Sequence, residues 1–257
     1  MSLNILIILL AGWGAGIVTG LVGASAVVLV APVLITFLGY QPYVAIGISL
    51  ATDIIASSIS AYTYHQNDNL KLKEGLYLAF ASVTAAVLGS WLSSYLSASL
   101  LGGSTGIVIL IMGISFLRKP LNQRLQDFQN KFDLSFWKKR KIFSAIFFGG
   151  FIGMMTGFFG AGGGMMILMV LTFIYGFSVH TAVGTSVLIM AFNATFGAAS
   201  HFLVDQSIPL LEISISGLGG LIGGVMAAVY ANAISEKKLS KAIGVVFILL
   251  GFISFIK

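Results

Sequence analysis

The 257-residue chain contains no cysteine. That excludes disulfides, thiolate metal sites and any mechanism that relays a substrate along thiols. Charge is also scarce. Only 9% of residues are Asp, Glu, Lys or Arg, against about 25% in soluble domains. Hydrophobic residues reach 58%, where about 45–50% is usual. No Lys or Arg lies deep in any apolar run, and the N-terminal stretch MSLNILIILLAGWGAG lacks the basic start of a cleaved signal peptide. We therefore read that stretch as a retained first segment. These deficits describe an all-α polytopic membrane protein whose length holds about ten spans of roughly 20 residues and no separate soluble domain. The net charge of +6 would suggest a nucleic-acid partner in a soluble protein; here the excess of basic residues in cytoplasmic loops explains it, and no nucleic acid is expected.

Ten apolar runs are present, at about 3–22, 24–39, 43–65, 75–97, 100–117, 141–158, 161–176, 179–203, 208–231 and 239–256. The second and seventh are short for a full span and read as half-helices or re-entrant pieces. Between the fifth and sixth runs, RKPLNQRLQDFQNKFDLSFWKKR carries seven of the fourteen Lys and Arg residues and is expected to be the main cytoplasmic loop.

Sliding the chain against itself by 137 residues aligns Gly12–Asp68 with Gly149–Asp205 without a gap and gives fourteen identities, among them Thr19/Thr156, Gly23/Gly160, Gly39/Gly176, Gly47/Gly184 and Ser49/Ser186. About five would be expected by chance in so biased a composition, so the chain reads as a duplicated unit. Gly106 and Gly113 repeat the spacing of Gly244 and Gly251. Five segments per unit is an odd number, which turns the second copy upside down. Lysines support this independently: Lys71 and Lys73 follow the third segment, Lys237, Lys238 and Lys241 follow the ninth, and the matching loops of the other copy carry no basic residue. All basic loops then fall on the cytoplasmic side of a plasma membrane, with both termini outside. The expected organisation is a transmembrane repeat over residues 1–118, a basic cytoplasmic linker over 119–139, and an inverted transmembrane repeat over 140–257. Inverted-topology repeats with Gly-interrupted segments in matching positions are the signature of secondary transporters, with the site near the midplane between copies.

The strongest interruption is GFFGAGGGMM, Gly157 to Met166, with five glycines in eight residues. Glycine costs about 1 kcal/mol against alanine in a helix interior. Lipid cannot satisfy free backbone groups, so the run predicts a broken helix that is buried in protein or lines a cavity. With no deep cation available, a bound anion would need backbone N–H groups and hydroxyls. Two half-helix N-termini, at Gly23, Ala24 and Ser25 and at Gly160, Gly162, Gly163 and Gly164, would supply the amides and the positive dipole end. The competing explanation is close helix packing. It suits the ladders Gly12, Gly16, Gly20 and Gly149, Gly153, Gly157, but Gly162–Gly164 exceed what a ladder needs.

The third segment places Ser49, Thr52, Asp53 and Ser60 near one helical face, and the eighth places Ser186, Asn193 and Gly197 on the equivalent face. Both are expected to look into the interface between copies, although membrane serines and threonines often bond only to their own helix. Asp53 is the one ionisable residue near the middle of a span. A charge there costs at least about 2.5–3.5 kcal/mol, so it should face the interior and stay protonated or pair, in a proton-coupling role or as a structural hydrogen bonder. His180 and His201 sit near segment ends and read as interfacial anchors or titrating groups. Trp13, Trp91 and Trp137 read as packing or belt residues, and no cofactor is expected.

GFFGAGGGMM followed by VHTAVGTSVLIMAFNATFGAASH resembles the TauE/SafE family of sulfite and organosulfur anion exporters over nearly the whole chain. The resemblance carries the family's glycine-rich stretch onto Gly160–Gly164, its GTS element onto Gly184, Thr185 and Ser186, and a helix amide onto Asn193. It implies transport of small, mostly sulfur-containing anions. The first copy departs from the pattern, with GLVGASA at Gly20–Ala26 and GISLATD at Gly47–Asp53. The expected partners are a small anionic substrate and the lipid bilayer, with homo-oligomerisation left open. Enzymatic activity is not expected: an intramembrane protease would need a Ser/His pair or two aspartates, and the chain has no GxSG element and one deep aspartate. A scaffold would need no broken helices or polar seams. An anion channel and a proton-coupled uptake carrier for small organic anions stay open as alternatives.

Overall fold

A computed structural model describes residues 2–93, 114, 136–137, 140–159, 163–204 and 208–253. In chain order the elements are α1 (Ser2–Val22), α2 (Val27–Leu38), α3 (Pro42–Gln66), α4 (Leu72–Ser93), α5 (Lys141–Phe159), α6 (Gly163–Met169) running into a π-helical turn (Val170–Ile174), α7 (Val179–Val204), α8 (Leu210–Ala233) and α9 (Glu236–Ile253). Among the described residues the structure is wholly helical between its turns. Leu3–Val22, Pro42–Gln66, Val179–Ala199 and Leu210–Ala233 are long and apolar enough to cross a membrane.

The two short segments are alike in local geometry. α2 has 12 residues, about 18 Å at 1.5 Å per residue, where the hydrocarbon core is about 30 Å thick. In the second half, seven α-helical residues of α6 continue into five π-helical ones. α2 stops at Gly39, whose φ of 68° only glycine adopts cheaply, and the π turn is followed by Gly176 at φ 70°. Beyond each glycine the chain closes a hydrogen bond that reaches back six residues: Tyr40 N–H to the Leu34 carbonyl at 3.2 Å and Phe177 N–H to the Leu171 carbonyl at 3.1 Å. Both satisfy carbonyls that a helix end leaves open. All these pairs stand 137 residues apart, so these two turns share their backbone geometry at the spacing of the sequence repeat.

Glycine sets the closest helix contacts. α1 packs most extensively on α8 and α4 on α5, while α3 and α7 pack on each other, α3 also on α8 and α7 also on α4. A Cβ on Gly12 would strike the Ser216 carbonyl, one on Gly16 the Gly220 carbonyl, and one on Gly153 the Ser82 carbonyl. On Gly149 it would lie 2.8 Å from the Ala81 Cβ and 3.0 Å from the Leu78 carbonyl. The ladder glycines at 12, 16, 149 and 153 thus serve backbone-to-backbone approach, the contact that lets helices associate where apolar lipid gives no hydrophobic driving force.

A core of Val22, Leu78, Ile167, Leu168, Leu171, Val183, Val187 and Phe247 joins both halves of the chain, and a second forms around α2 and the start of α3. At one rim the Tyr40 hydroxyl donates to Glu212 at 2.8 Å, tying the α2–α3 turn to α8. Burial, with help from that carboxylate, pushes the Tyr40 phenol up to about 12.

Candidate functional site

The break between α1 and α2 begins where Gly23 N–H makes its bond to the Thr19 carbonyl at 2.8 Å. Gly23 then turns to φ 69°. This left-handed step costs an L-residue about 1–2 kcal/mol, and it redirects the chain away from the helix axis. Gly23 has no room for a side chain either, because a Cβ would run into the Ser186 hydroxyl. Gly164, in the first turn of α6, meets the same place from the other half: its Cβ would strike the Gly23 carbonyl and lie 2.9 Å from the Ala24 Cα. Three backbone features therefore converge at Gly23: the end of α1, the start of α6 and the wall of α7. Gly163, Gly164, Ala24, Ser25, Thr185 and Ser186 are all buried. Gly160 and Gly162 lie outside the described residues.

Asp53, in the middle of α3, has no exposed surface. The Ser25 hydroxyl donates to Asp53 Oδ2 at 2.7 Å. The Thr19 hydroxyl lies 3.5 Å from Oδ1 and donates at 2.9 Å to the Ala24 carbonyl. The carboxyl thus takes the Ser25 hydroxyl where the helix breaks, and ties the turn to α3. A buried carboxyl tied to hydroxyls that can reverse donor and acceptor roles can also hold and release a proton.

The other polar residues of α3 turn elsewhere. The Thr52 hydroxyl donates to the Ile48 carbonyl at 2.9 Å and shares a 2.6 Å hydrogen bond with Ser216 of α8. Ser60 donates to the Ala56 carbonyl at 2.7 Å, 3.5 Å from the Gly224 carbonyl. Ser49 bonds the Ala45 carbonyl at 2.6 Å. Of the polar face expected from helical spacing, only Asp53 reaches the break; Thr52 and Ser60 face α8, and Ser49 satisfies itself within α3.

On α7 the polar residues spread along the helix. Thr185 accepts a hydrogen bond from Lys71 N–H at 3.1 Å, so it anchors the α3–α4 turn. Ser186 donates to the Val183 carbonyl at 2.8 Å and faces Gly23. Two turns on, Asn193 Oδ1 accepts from the Ser82 hydroxyl of α4 at 2.9 Å, while its Nδ2 is buried with no hydrogen-bond partner. A buried donor left unpaired costs about 1–3 kcal/mol. His180 Nε2 lies 3.0 Å from both the Ala231 and Ile234 carbonyls, an anchor at the end of α8 rather than part of the break. No cluster of metal-ligating side chains stands among the described residues.

Three contributors escape reading by residue type alone. Thr19 appears only as one of the repeat identities. Tyr64 donates to the Gly20 carbonyl at 3.0 Å and fills the space that a Cβ on Gly184 would claim. Ser82 positions Asn193, and nothing in its apolar run distinguishes it beforehand.

A helical membrane chain with paired half-length segments, and a buried polar centre where they meet, has the build of a membrane transport protein. Comparison with known proteins agrees. The family model described as "Sulfite exporter TauE/SafE" matches residues 8–253, and the chain belongs to that family. Relatives include "Probable membrane transporter protein YunE" of Bacillus subtilis, 24% identical over 98% of this chain and 96% of the relative. "Probable membrane transporter protein YdhB" of the same organism is 24% identical over 93% and 95%. A "Probable membrane transporter protein" of Xylella fastidiosa is 26% identical over 96% and 94%. No solved structure matches the chain.

Proposed function

We propose that this chain is a secondary transporter for small anions, most of them sulfur-containing, such as sulfite and sulfonates. It works by alternating access in the plasma membrane, with the basic central loop cytoplasmic and both termini outside. Residues 1–118 and 140–257 act as two inverted repeats joined by the linker 119–139.

The helix pairing supports the two-copy reading. Gly12 lies against Ser216 and Gly149 against Leu78, while Gly16 lies against Gly220 and Gly153 against Ser82. Exchanging the copies, with offsets of 137 residues on one helix and 138 on the other, turns each contact into its counterpart. The same exchange relates the α1–α8 pair to α5–α4. α3 and α7, which pack on each other, then flank the pseudo-twofold axis.

The observation that carries the site is the meeting of both helix breaks at Gly23 and Gly164. The Gly23 N–H and the Ser186 hydroxyl already donate to the Thr19 and Val183 carbonyls, and the unpaired Asn193 amide lies two turns further along α7. The proposed donor set at the break is therefore the amides of Ala24, Ser25 and Gly160–Gly164, without a cation. Such a set binds a small oxyanion by hydrogen bonds and helix dipoles. Asp53 sits beside it, and a second negative charge in a dry site is opposed by several kcal/mol. Anion and proton therefore occupy the centre together, which favours proton-coupled movement as the second reading.

Counterflow in proteoliposomes tests this, with sulfite, thiosulfate, sulfonates, amino acids and small carboxylates offered in turn. Sulfur oxyanions should exchange, and Gly163→Leu should abolish binding while the protein still inserts. Undiminished binding in Gly163→Leu removes the glycine stretch from the site; exchange of carboxylates alone overturns the substrate class; flux without counterflow identifies a channel.

A further inference from the structure

The starts of α4 and α5 enclose a groove of about 650 Å³ that plays no part in the site above. Lys73 and Arg140 stand on its rim, with the ring of Tyr77 beside them. Its wall is apolar: Ile142, Phe143 and Ile146 line it and are 60%, 48% and 61% exposed. In a bilayer such exposure means contact with acyl chains, so the wall needs no protein cover. Two cations directly above a lipid-facing wall call for a ligand with a negative head and an apolar tail.

The groove's one acidic residue leaves that balance positive. Glu74 lines it too, and two cations against one carboxylate keep the rim net positive. Trp137 fixes the depth of the rim. It stacks on Phe143 at 5.8 Å and 19°, its carbonyl accepts from the Ser144 hydroxyl at 2.6 Å, and Arg140 lies 5.0 Å over the Phe136 ring. Aromatic rings of this kind settle at headgroup level. Lys71 and Lys141 flank the same end of the pair, on the lysine-rich side of the chain.

We propose that this groove is a binding site for an anionic phospholipid such as phosphatidylglycerol or cardiolipin, its phosphate held by Lys73 and Arg140 and its first acyl carbons laid along Ile142, Phe143 and Ile146. Basic pockets between helix ends on the cytoplasmic face recognise such headgroups. The site depends only on the membrane location of the chain, so failure of the substrate reading would leave it standing.

The test is lipid retention by the purified full chain in neutral detergent, read by native mass spectrometry and by titration with fluorescent phosphatidylglycerol. Wild type should retain phosphatidylglycerol over phosphatidylcholine. Each basic residue near an anionic lipid contributes about fivefold, so Lys73→Ala with Arg140→Ala should weaken binding about thirtyfold. Lys237→Ala with Lys238→Ala, on the same side but outside the groove, should not. Ile146→Trp, which fills the groove and leaves both charges, should also lower retention. Equal retention by wild type and the Lys73/Arg140 variant overturns the site. An equal loss in the Lys237/Lys238 variant reduces it to diffuse surface charge, and displacement of the lipid by equimolar free glycerol phosphate overturns the choice of a lipid as occupant.

Discussion

Gly23 and Ser186 lie against each other across the two halves of the chain, with no space between them for even a methyl group. Ser186 is fixed by its own bond to the Val183 carbonyl, and Gly23 is fixed by its left-handed turn. Gly23→Ala therefore meets two separate penalties, a steric one from Ser186 and a conformational one of about 1–2 kcal/mol from the positive φ. The variant is expected to lose transport and thermal stability, and adding Ser186→Gly should restore stability in part because only the conformational penalty remains. Thermal melting of wild type, the single variants and the double variant checks this. Equal melting temperatures for Gly23→Ala alone and in combination would mean that the contact with Ser186 is not tight.

Asn193 tests whether the anion site extends two turns along α7 from the break, without disturbing packing. Its Oδ1 bond to Ser82 is dispensable, since the Ser82 hydroxyl also reaches the Ala79 carbonyl at 3.0 Å. Its unpaired Nδ2 donor is the part a substrate would use. Asn193→Leu should leave folding intact and weaken anion binding about tenfold or more, the worth of a hydrogen bond to a charged group. Asn193→Asp should abolish binding by repulsion. Equilibrium binding on purified variants measures both, and affinity unchanged in Asn193→Leu would confine the substrate to the break.

Much of this architecture was readable beforehand because it rests on backbone demands that only glycine meets. Gly39 and Gly176 form one of the repeat identities and close the second and seventh apolar runs, and both adopt positive φ. Helical spacing was less informative about neighbours. Thr52 and Asp53 are adjacent in sequence, yet a step of about 100° between them sends one to Ser216 on α8 and the other to Ser25 at the break. Periodicity assigns a side chain to a face but does not say which helix that face meets. Thr19 and Ser82 are inconspicuous in sequence for a related reason: a hydroxyl in an apolar run gains its role from a partner that residue type alone does not reveal.

The inverted arrangement makes opposite claims about two equivalent loops. Because the chain has no cysteine, single cysteines report accessibility without background. Positions near Ser2, Asp205 and Lys257 should label from outside intact cells, and positions near Lys71, Gln126 and Lys238 should label only after permeabilisation. Lys71 and Asp205 follow corresponding helices of the two copies, so labelling of both from one side would end the inverted reading whatever the other positions do.

The coupling role proposed for Asp53 would connect the site to the direction of transport. With the cell interior negative, the potential favours expulsion of a monovalent anion by about 2.3 kcal/mol per 100 mV, so export runs downhill without a coupling ion. Uptake of the same anion needs energy from elsewhere, and a proton carried on Asp53 beside the substrate would supply it. Asp53→Asn keeps an oxygen for the Ser25 hydroxyl but can neither ionise nor carry a proton. Potential-driven efflux should survive this change largely intact, while pH-driven accumulation should vanish. Both are measured in the same vesicles, with the pH gradient and the potential imposed separately. Asp53→Ala, which leaves the Ser25 hydroxyl without this acceptor at the break, should instead lower thermal stability as well, by about 1–3 kcal/mol. If Asp53→Asn accumulates substrate under a pH gradient as well as wild type does, the carboxyl is a clamp on the α1–α2 break and the proton travels by another route.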